Sequence, residues 1–185
     1  AEAQLEGTLA LDSGRVETHR LVGLCHLAQR RYAEALVLFE RVIADDPLHI
    51  EAQYNLASAL SALGRVADAE RALEHFETLS EYAAQIARLR RQVDVTPDHV
   101  ETRLQLAHQY RQLGQLEYAL THYRAAHEAD PAHLPTLIQL SGLLLELGRS
   151  NEVLALCQQG IHRHAGDERI GELFFARGLV HLQRS

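Results

Sequence analysis

LAHQYRQLGQLEYALTHYRAAHEADP, residues 106–131, is the most regular stretch of this sequence and the one from which the rest can be interpreted. Its apolar residues recur at helical spacing on both sides of Gly114, and it ends at Pro131. Glycine suits the left-handed residue that ends a helix, and proline cannot continue one. The stretch therefore predicts two helices separated by a turn at Gly114 and stopped at Pro131.

The same pattern recurs along the chain. Units begin near Val16, Ile50, Val100, Leu134 and Glu168, at intervals of 34 residues except for the 50 residues between Ile50 and Val100. Most units have a glycine at the central turn, and Arg30-Arg31 replaces it in the first unit. The chain is therefore a series of helix-turn-helix units with one interruption.

The interruption adds 16 residues, about the length of one helix, within SEYAAQIARLRRQVDVTP. Its apolar stripe at helical spacing consists of Tyr82, Ile86, Leu89 and Val93. Thr78 and Glu81 have the spacing of a capping box that could start a helix. We expect an extra amphipathic helix at 81–97; the alternative is one continuous helix from about Val66 to Val93.

The repeated pattern resembles the tetratricopeptide repeat (TPR). The positions that carry the resemblance are Leu106, Ala107, Tyr110, Gly114, Ala119, Tyr123, Ala126 and Pro131. The resemblance implies an all-α protein, a right-handed α-solenoid of TPR helix-turn-helix repeats with one extra inserted helix.

On this interpretation residues 1–185 are a single solenoid. Its parts are a half repeat at 1–15, repeats at 16–49 and 50–80, the inserted helix at 81–97, repeats at 100–133 and 134–167, and a terminal half repeat or capping helix at 168–185. The motif LDS at 11–13 is expected to end the first half repeat. Because the array starts and stops within a unit, we expect it to be a slice of a longer array, with a terminal cap as the alternative.

Small residues recur where the two helices of a unit should cross. Gly23 and Ala35 are examples, and closely packed helices require small side chains at such points. Phe39 and Tyr123 are expected to fill the adjoining gaps and to be buried.

Composition excludes several classes of protein. The net charge of −7 gives no reason to expect a nucleic-acid partner. No apolar run approaches the roughly 18 residues that membrane insertion requires. The 18 basic residues are all arginine, a usage associated with high-GC bacterial genomes. We expect a soluble protein, with localisation open between cytoplasm and periplasm.

No reactive motif stands out. The sequence contains no CxxC, HExxH, GxGxxG or GxSxG, so we expect no enzyme, no cofactor and no metal site. His49, His99 and His133 each stand two residues after a proline, which indicates a repeated helix-start position. Cys25 and Cys157 are predicted to be buried, small side chains that form no disulfide.

In TPR proteins the first helix of each unit lines a concave groove that binds peptides or helices. The residues that the resemblance implies for this groove are Arg20, Leu24, Tyr54, Asn55, Ser58, Leu104, Gln105, His108, Arg111, Ile138 and Gln139. The alternative for each is a solvated helix face. A clamp for a C-terminal carboxylate is disfavoured, because Leu24, Glu101 and Gln105 stand where that clamp has amide or basic residues.

The predicted function is a non-catalytic scaffold that binds a peptide or helix of a partner protein in the concave groove. An alternative is the regulatory or substrate-presenting TPR arm of a larger enzyme, such as a transferase. Self-association through open repeat ends, at Phe174 and Phe175, is a further expectation.

Overall fold

The computed structural model describes the backbone of residues 2–183 and the side chains of residues 14–183. Within these residues it contains nine α-helices and no strand. The helices are α1 (Glu2–Ala28), α2 (Tyr32–Asp45), α3 (Ile50–Ala62), α4 (Val66–Val95), α5 (Val100–Gln112), α6 (Leu116–Ala129), α7 (Leu134–Glu146), α8 (Ser150–Arg163) and α9 (Gly171–Gln183), with a 3₁₀ turn at Glu168–Ile170 before α9. The prediction of an all-α chain of helix-turn-helix repeats is confirmed.

The helices form two compact units, residues 1–83 and residues 84–185, here called unit 1 and unit 2. Unit 1 contains α1, α2, α3 and the first part of α4. Unit 2 contains the remainder of α4 and helices α5 to α9. Odd-numbered helices are the first helices of the repeats, and even-numbered helices are the second ones.

The turn inside each repeat has the same backbone. Gly64, Gly114 and Gly148 have φ values of 74°, 70° and 70°, in the left-handed region that glycine adopts without steric cost. Arg30 takes this conformation in the first repeat, with φ of 59°. The amide of Arg31 then donates to the carbonyl of His26 at 2.9 Å, a bond that closes the end of α1.

The recurring histidines mark helix starts, as predicted. His49 precedes α3 and accepts a hydrogen bond from the backbone amide of Ala52 at 3.3 Å. His99 precedes α5 and accepts one from Thr102 at 3.2 Å. His133 stands at the same place before α7, without that bond. An imidazole nitrogen thus satisfies an amide that the helix itself leaves unpaired.

The interruption in the repeat pattern is not a separate helix. Residues 81–95 continue α4, a single helix of 30 residues, so the predicted inserted helix at 81–97 is wrong and the continuous-helix alternative is right. No glycine or proline occurs in FETLSEYAA at 76–84, so nothing stops the helix there. The Thr78 hydroxyl donates to the carbonyl of Glu74, four residues earlier, rather than capping a new helix.

The predicted break at 11–13 is also wrong. The backbone is helical throughout Glu2–Ala28, and the Thr18 hydroxyl donates to the Gly14 carbonyl at 2.8 Å within that helix. LDS contains no residue that prevents helix formation, and without a proline it does not end α1. The repeat pattern also places Ala1, Leu5 and Ser13 where Ala35, Phe39 and Pro47 stand in the next repeat, but these three side chains lie outside the described ones.

The cores follow the repeat pattern. In unit 1, Phe39 is fully buried, and a Cβ added at Gly23 would lie 2.9 Å from its ring, so this crossing requires glycine. In unit 2, Tyr123 is buried, and Ile86 and Leu89 of the predicted stripe join the same core. These core predictions are confirmed.

The two cysteines differ in environment. Cys157 is buried, and burial raises the pKa of its thiol. Cys25 is exposed, so its predicted burial is wrong. Cys25 lies on the side of α1 away from Gly23, the residue that contacts Phe39, and helical spacing alone did not distinguish the two faces.

Candidate functional surfaces

Unit 1 has a hollow of about 390 Å³ between first helices α1 and α3 and second helix α4. We call it the unit 1 hollow, and it is lined by Leu24, Ile50, Glu51, Tyr54, Asn55 and Phe76. Three of the predicted groove residues, Leu24, Tyr54 and Asn55, are therefore brought together. Its apolar side chains stand beside one amide and one carboxylate, a combination suited to a peptide with an apolar side chain and free backbone groups.

Sequence reasoning missed three residues of this hollow, Ile50, Glu51 and Phe76, of which Phe76 is the aromatic one. By the spacing of the repeats Phe76 corresponds to Val42 and Ala126, which are both buried. In the structure it is only half-buried, and its ring lies 5.3 Å from that of Tyr54, tilted by 54°. The signal that could have revealed it is its size, because a phenylalanine stands where the other repeats have a small or β-branched residue.

Arg20, predicted to line the groove, is held by carboxylates of its own chain. Its guanidinium donates two bonds to Glu17, at 2.9 and 2.6 Å, and one to Glu51, at 3.1 Å. The bond to Glu17 raises the pKa of Arg20, and the bond from Arg20 lowers the pKa of Glu17. Three of the five N–H donors of Arg20 are thereby engaged, and its charge is already balanced by carboxylates of its own chain.

Ser58, also predicted, lies in a second hollow of unit 1, of about 450 Å³, between α3 and α4. We call it the open seam, and its lining residues are Tyr54, Ala57, Ser58, Ser61, Ala62, Val66, Ala69, Glu70 and Leu73. Tyr54 lines both hollows and is 53% exposed. The predicted groove residues of unit 1 are thus divided between two neighbouring sites.

Unit 2 holds the other six predicted groove residues. Leu104, Gln105, His108 and Arg111 lie on α5, and Ile138 and Gln139 lie on α7. The polar side chains of Gln105, His108 and Gln139 are exposed. Leu104 and Ile138 are half-buried and pack against the unit 2 core, so their larger role is structural.

Arg111 connects the two first helices of this face. Its guanidinium forms an ion pair with Glu146 of α7 at 3.0 Å and lies 4.0 Å from the place that a Cβ on Gly142 would take. A Cβ at 142 would therefore be in ordinary van der Waals contact with the guanidinium. As with Arg20, a predicted groove arginine is engaged by a carboxylate of the neighbouring first helix.

The described residues offer no metal centre. Nowhere among them do three histidine, cysteine, aspartate or glutamate side chains come together as potential ligands. His122 is half-buried and stacks on Tyr110 with ring centroids 5.5 Å apart, and burial lowers its pKa. Its environment is that of a packed side chain rather than a ligand.

Helix α9 exposes the aromatic residues that the sequence singled out. Phe174 and Phe175 are both exposed, and the guanidinium of Arg177 lies 5.0 Å above the Phe174 ring. Self-association through this face stays a prediction. No helix in the described part of the chain is both long and apolar enough to cross a bilayer.

Three solved structures are similar to this chain. MamA MSR-1 is 23% identical, and the match covers 92% of this chain and 87% of that chain with a TM-score of 0.44. YrrB, described as "a TPR protein with an unusual peptide-binding site", is 14% identical, with 86% of this chain and 90% of that chain covered and a TM-score of 0.46. MamA from Desulfovibrio magneticus RS-1 is 15% identical, with 83% of this chain and 97% of that chain covered and a TM-score of 0.45. A comparison with curated proteins finds no match. A family model described as a tetratricopeptide repeat matches residues 26–76 and 110–173, which together make up more than half of the sequence.

Proposed function

Because the chain belongs to the tetratricopeptide repeat family, whose members are protein-interaction scaffolds, we propose that it is a non-catalytic scaffold that binds a peptide or helix of a partner protein on the exposed faces of its first helices. The observation that carries the proposal is the unit 1 hollow, where Leu24, Tyr54 and Asn55 lie together around about 390 Å³. A hollow of this size accepts one or two side chains of an extended segment or one face of a helix.

The chemistry of the unit 1 hollow supports a peptide ligand. Leu24 and Phe76 offer apolar contact, and the Asn55 amide can both donate to and accept from a peptide backbone. Tyr54 combines an aromatic face with a hydroxyl, and such residues contribute strongly to protein interfaces. The same surface holds no nucleophile beside a general base, which supports binding without chemistry.

The first helices of unit 2 support the same proposal. Gln105 and His108 on α5 and Gln139 on α7 expose amide and imidazole groups. Such side chains can hydrogen-bond to the backbone of a bound peptide without the desolvation cost of a buried charge. The ion pair between Arg111 and Glu146 joins the two helices on this face.

The proposal is tested with a peptide selected by display from a random library against the full chain. Tyr54→Ala, Asn55→Ala and His108→Ala together should weaken its binding by about tenfold or more, as expected for the loss of an interface aromatic with its polar neighbours. Isothermal titration calorimetry measures the dissociation constant, and far-UV circular dichroism should show unchanged helicity.

Val37→Ala is the matched control, because Val37 on second helix α2 is 46% exposed, close to the exposure of Tyr54. The control should bind the peptide as the parent chain does. Binding that is unaffected by the triple substitution would contradict the assignment of the first-helix faces.

A further inference from the structure

The open seam of unit 1 differs from the corresponding surface of every other repeat. Leu73 is 40% exposed there. The residues at its position in the other repeats are Phe39, Tyr123 and Cys157, which are 0%, 1% and 0% exposed. The second repeat therefore leaves open a surface that the repeat pattern normally closes.

The chain itself shows what closes this surface elsewhere. Helix α3 packs on α2, α7 packs on α6, and α9 packs on α8, so each of these second helices is covered by the next first helix. Within unit 1 no further helix follows the α3–α4 hairpin. The open seam thus lies where one further α-helix packs in the other repeats.

At one position of the seam this repeat has a charged residue where the other repeats have leucine, which suits a surface that contacts water or a charged partner. Glu70 lines the seam, and the same position holds Leu36, Leu120 and Leu154 in the other repeats. Those leucines are buried or half-buried, whereas Glu70 is exposed. A glutamate here would be costly under a covering apolar helix and favourable beside a basic one.

Glu70 begins an acidic row along α4. Glu70, Glu74, Glu77 and Glu81 are spaced at i, i+4, i+7 and i+11, which places them on one side of the helix, next to the row of Val66 and Leu73. All four are exposed, and none forms an ion pair among the described residues. The nearby arginines do not neutralise them, because Arg65 and Arg71 both pair with Asp68.

The charge of unit 1 reinforces this row. Residues 1–83 contain seven arginines and 14 carboxylate side chains, whereas residues 84–185 contain 11 of each. The entire net charge of −7 therefore belongs to unit 1. A partner that approaches the seam meets a negative potential, which favours a basic segment.

We propose that the open seam binds an amphipathic α-helix of a partner protein, with its apolar stripe against Val66 and Leu73 and its arginine or lysine flank against the acidic row of α4. The apolar stripe supplies contact area, and the charges set the orientation of the helix and discriminate against acidic or neutral helices. This site goes beyond the peptide-binding faces of the first helices, because its distinguishing residues lie on second helix α4.

The test uses the full chain and two synthetic peptides of about 14 residues, the length of α2, held helical by a hydrocarbon crosslink because short helices are marginal in water. Both carry leucines at i, i+3, i+4 and i+7. One has arginines along a single flank of the stripe, and the other has glutamates there. The parent should bind the arginine peptide at least about tenfold more tightly, as measured by fluorescence anisotropy, and salt should reduce that preference.

Two sets of variants locate the site. Val66→Glu with Leu73→Glu should weaken binding of the arginine peptide by about tenfold or more, whereas Val37→Glu, the same change at an exposed valine of α2, should leave it unaltered. Glu77→Arg with Glu81→Arg changes only exposed side chains and should shift the preference toward the glutamate peptide.

Three outcomes would overturn the proposal. Equal binding of both peptides by the parent would exclude charge recognition. Weakening by Val37→Glu as large as that by the seam variants would place the peptide elsewhere. A parent chain that binds neither peptide but forms a dimer, which Val66→Glu with Leu73→Glu dissociates, would make a second copy of the chain the occupant.

Discussion

Arg30 adopts the backbone conformation that three glycines adopt in the other repeats. Its φ of 59° lies in the left-handed region, where a side chain crowds the following carbonyl. The bond between the Arg31 amide and the His26 carbonyl, at 2.9 Å, still forms, so the turn is retained despite this cost. The first repeat thus keeps the shared turn geometry without the shared residue.

Arg30→Gly should stabilise the protein by about 1 kcal/mol, because it removes the steric cost of the left-handed conformation. The free energy of unfolding in urea measures this change. Gly64→Ala is the converse control at the equivalent turn, where φ is 74°, and it should destabilise by a similar amount. Destabilisation by Arg30→Gly would show that the arginine side chain contributes more than its backbone strain costs.

His122 is a half-buried titratable group in unit 2. Burial is the main cause that lowers its pKa from the ordinary value of 6.5, and the charges of Arg103 and Arg90 act in the same direction. The ring stacks on Tyr110, at an interplanar angle of 4°. His122 therefore packs best as the neutral imidazole.

The stability of the protein should consequently fall in mild acid. Below about pH 6.5 the unfolded chain binds a proton at His122 that the folded chain does not, so the free energy of unfolding decreases until the pH falls below the folded pKa. His122→Phe keeps an aromatic ring on Tyr110 and should remove part of this decrease. Urea unfolding of the parent and the variant at about pH 7.5 and 5.5 measures the decrease in the free energy of unfolding.

The pKa of His127 is also lowered mainly by burial, so His127 contributes to the same loss of stability in mild acid. Because His127 is still present in His122→Phe, the variant should retain that part of the loss. A decrease in stability that is identical in the parent and in His122→Phe would show that His122 does not titrate as a buried group.

Helix α4 is the element that departs from the repeat. Its 30 residues form one helix because the stretch around Thr78 contains neither a proline nor a glycine, and its Thr78 hydroxyl bonds to the Glu74 carbonyl. The extra 16 residues extend a second helix by about 24 Å, at 1.5 Å per residue. That extension carries Ile86 and Leu89 into the unit 2 core.

Thr78→Ala distinguishes one helix from two. In a continuous helix the change should be neutral or slightly stabilising, because alanine has the higher helix propensity, whereas loss of an N-cap would cost about 1 kcal/mol. Thr121→Ala is the matched control, since Thr121 bonds to the Glu117 carbonyl in the same way within α6. Thermal unfolding of both variants measures the effect; a loss at Thr78 alone would contradict the continuous α4.

The whole molecule consists of two units with separate cores and different charge. Unit 1 carries the net charge of −7 and contains both the unit 1 hollow and the open seam. Unit 2 is neutral and presents uncharged polar groups such as Gln105 and Gln139. On the two proposals above, unit 1 binds a basic helix in addition to a peptide, and the first helices of unit 2 offer a peptide-binding surface of their own. Whether the chain serves as an arm of a larger enzyme stays a prediction.

The resemblance predicts three of the six residues that line the unit 1 hollow, and the residues for which its expectations fail have physical causes for the failure. Leu24, Tyr54 and Asn55 meet in one hollow because they lie on the faces of adjacent first helices. Arg20 and Arg111 were expected to be available to a ligand, but each is paired with a carboxylate on the next first helix. Such pairs join residues more than thirty positions apart, so no local pattern indicates them.

Local signals in the sequence account for the repeats, the turns and the helix starts. Periodicity, Gly64, Gly114 and the histidines before α3 and α5 each act within a few residues, so they can be recognised without knowledge of the neighbouring helices. Burial, in contrast, cannot be recognised from residues that are close in the sequence. Leu73 occupies the same pattern position as Tyr123, yet it is open where Tyr123 is enclosed, because the next first helix covers Tyr123 and none in unit 1 covers Leu73. Which apolar residues become core and which remain a binding surface therefore depends on the packing of neighbouring helices.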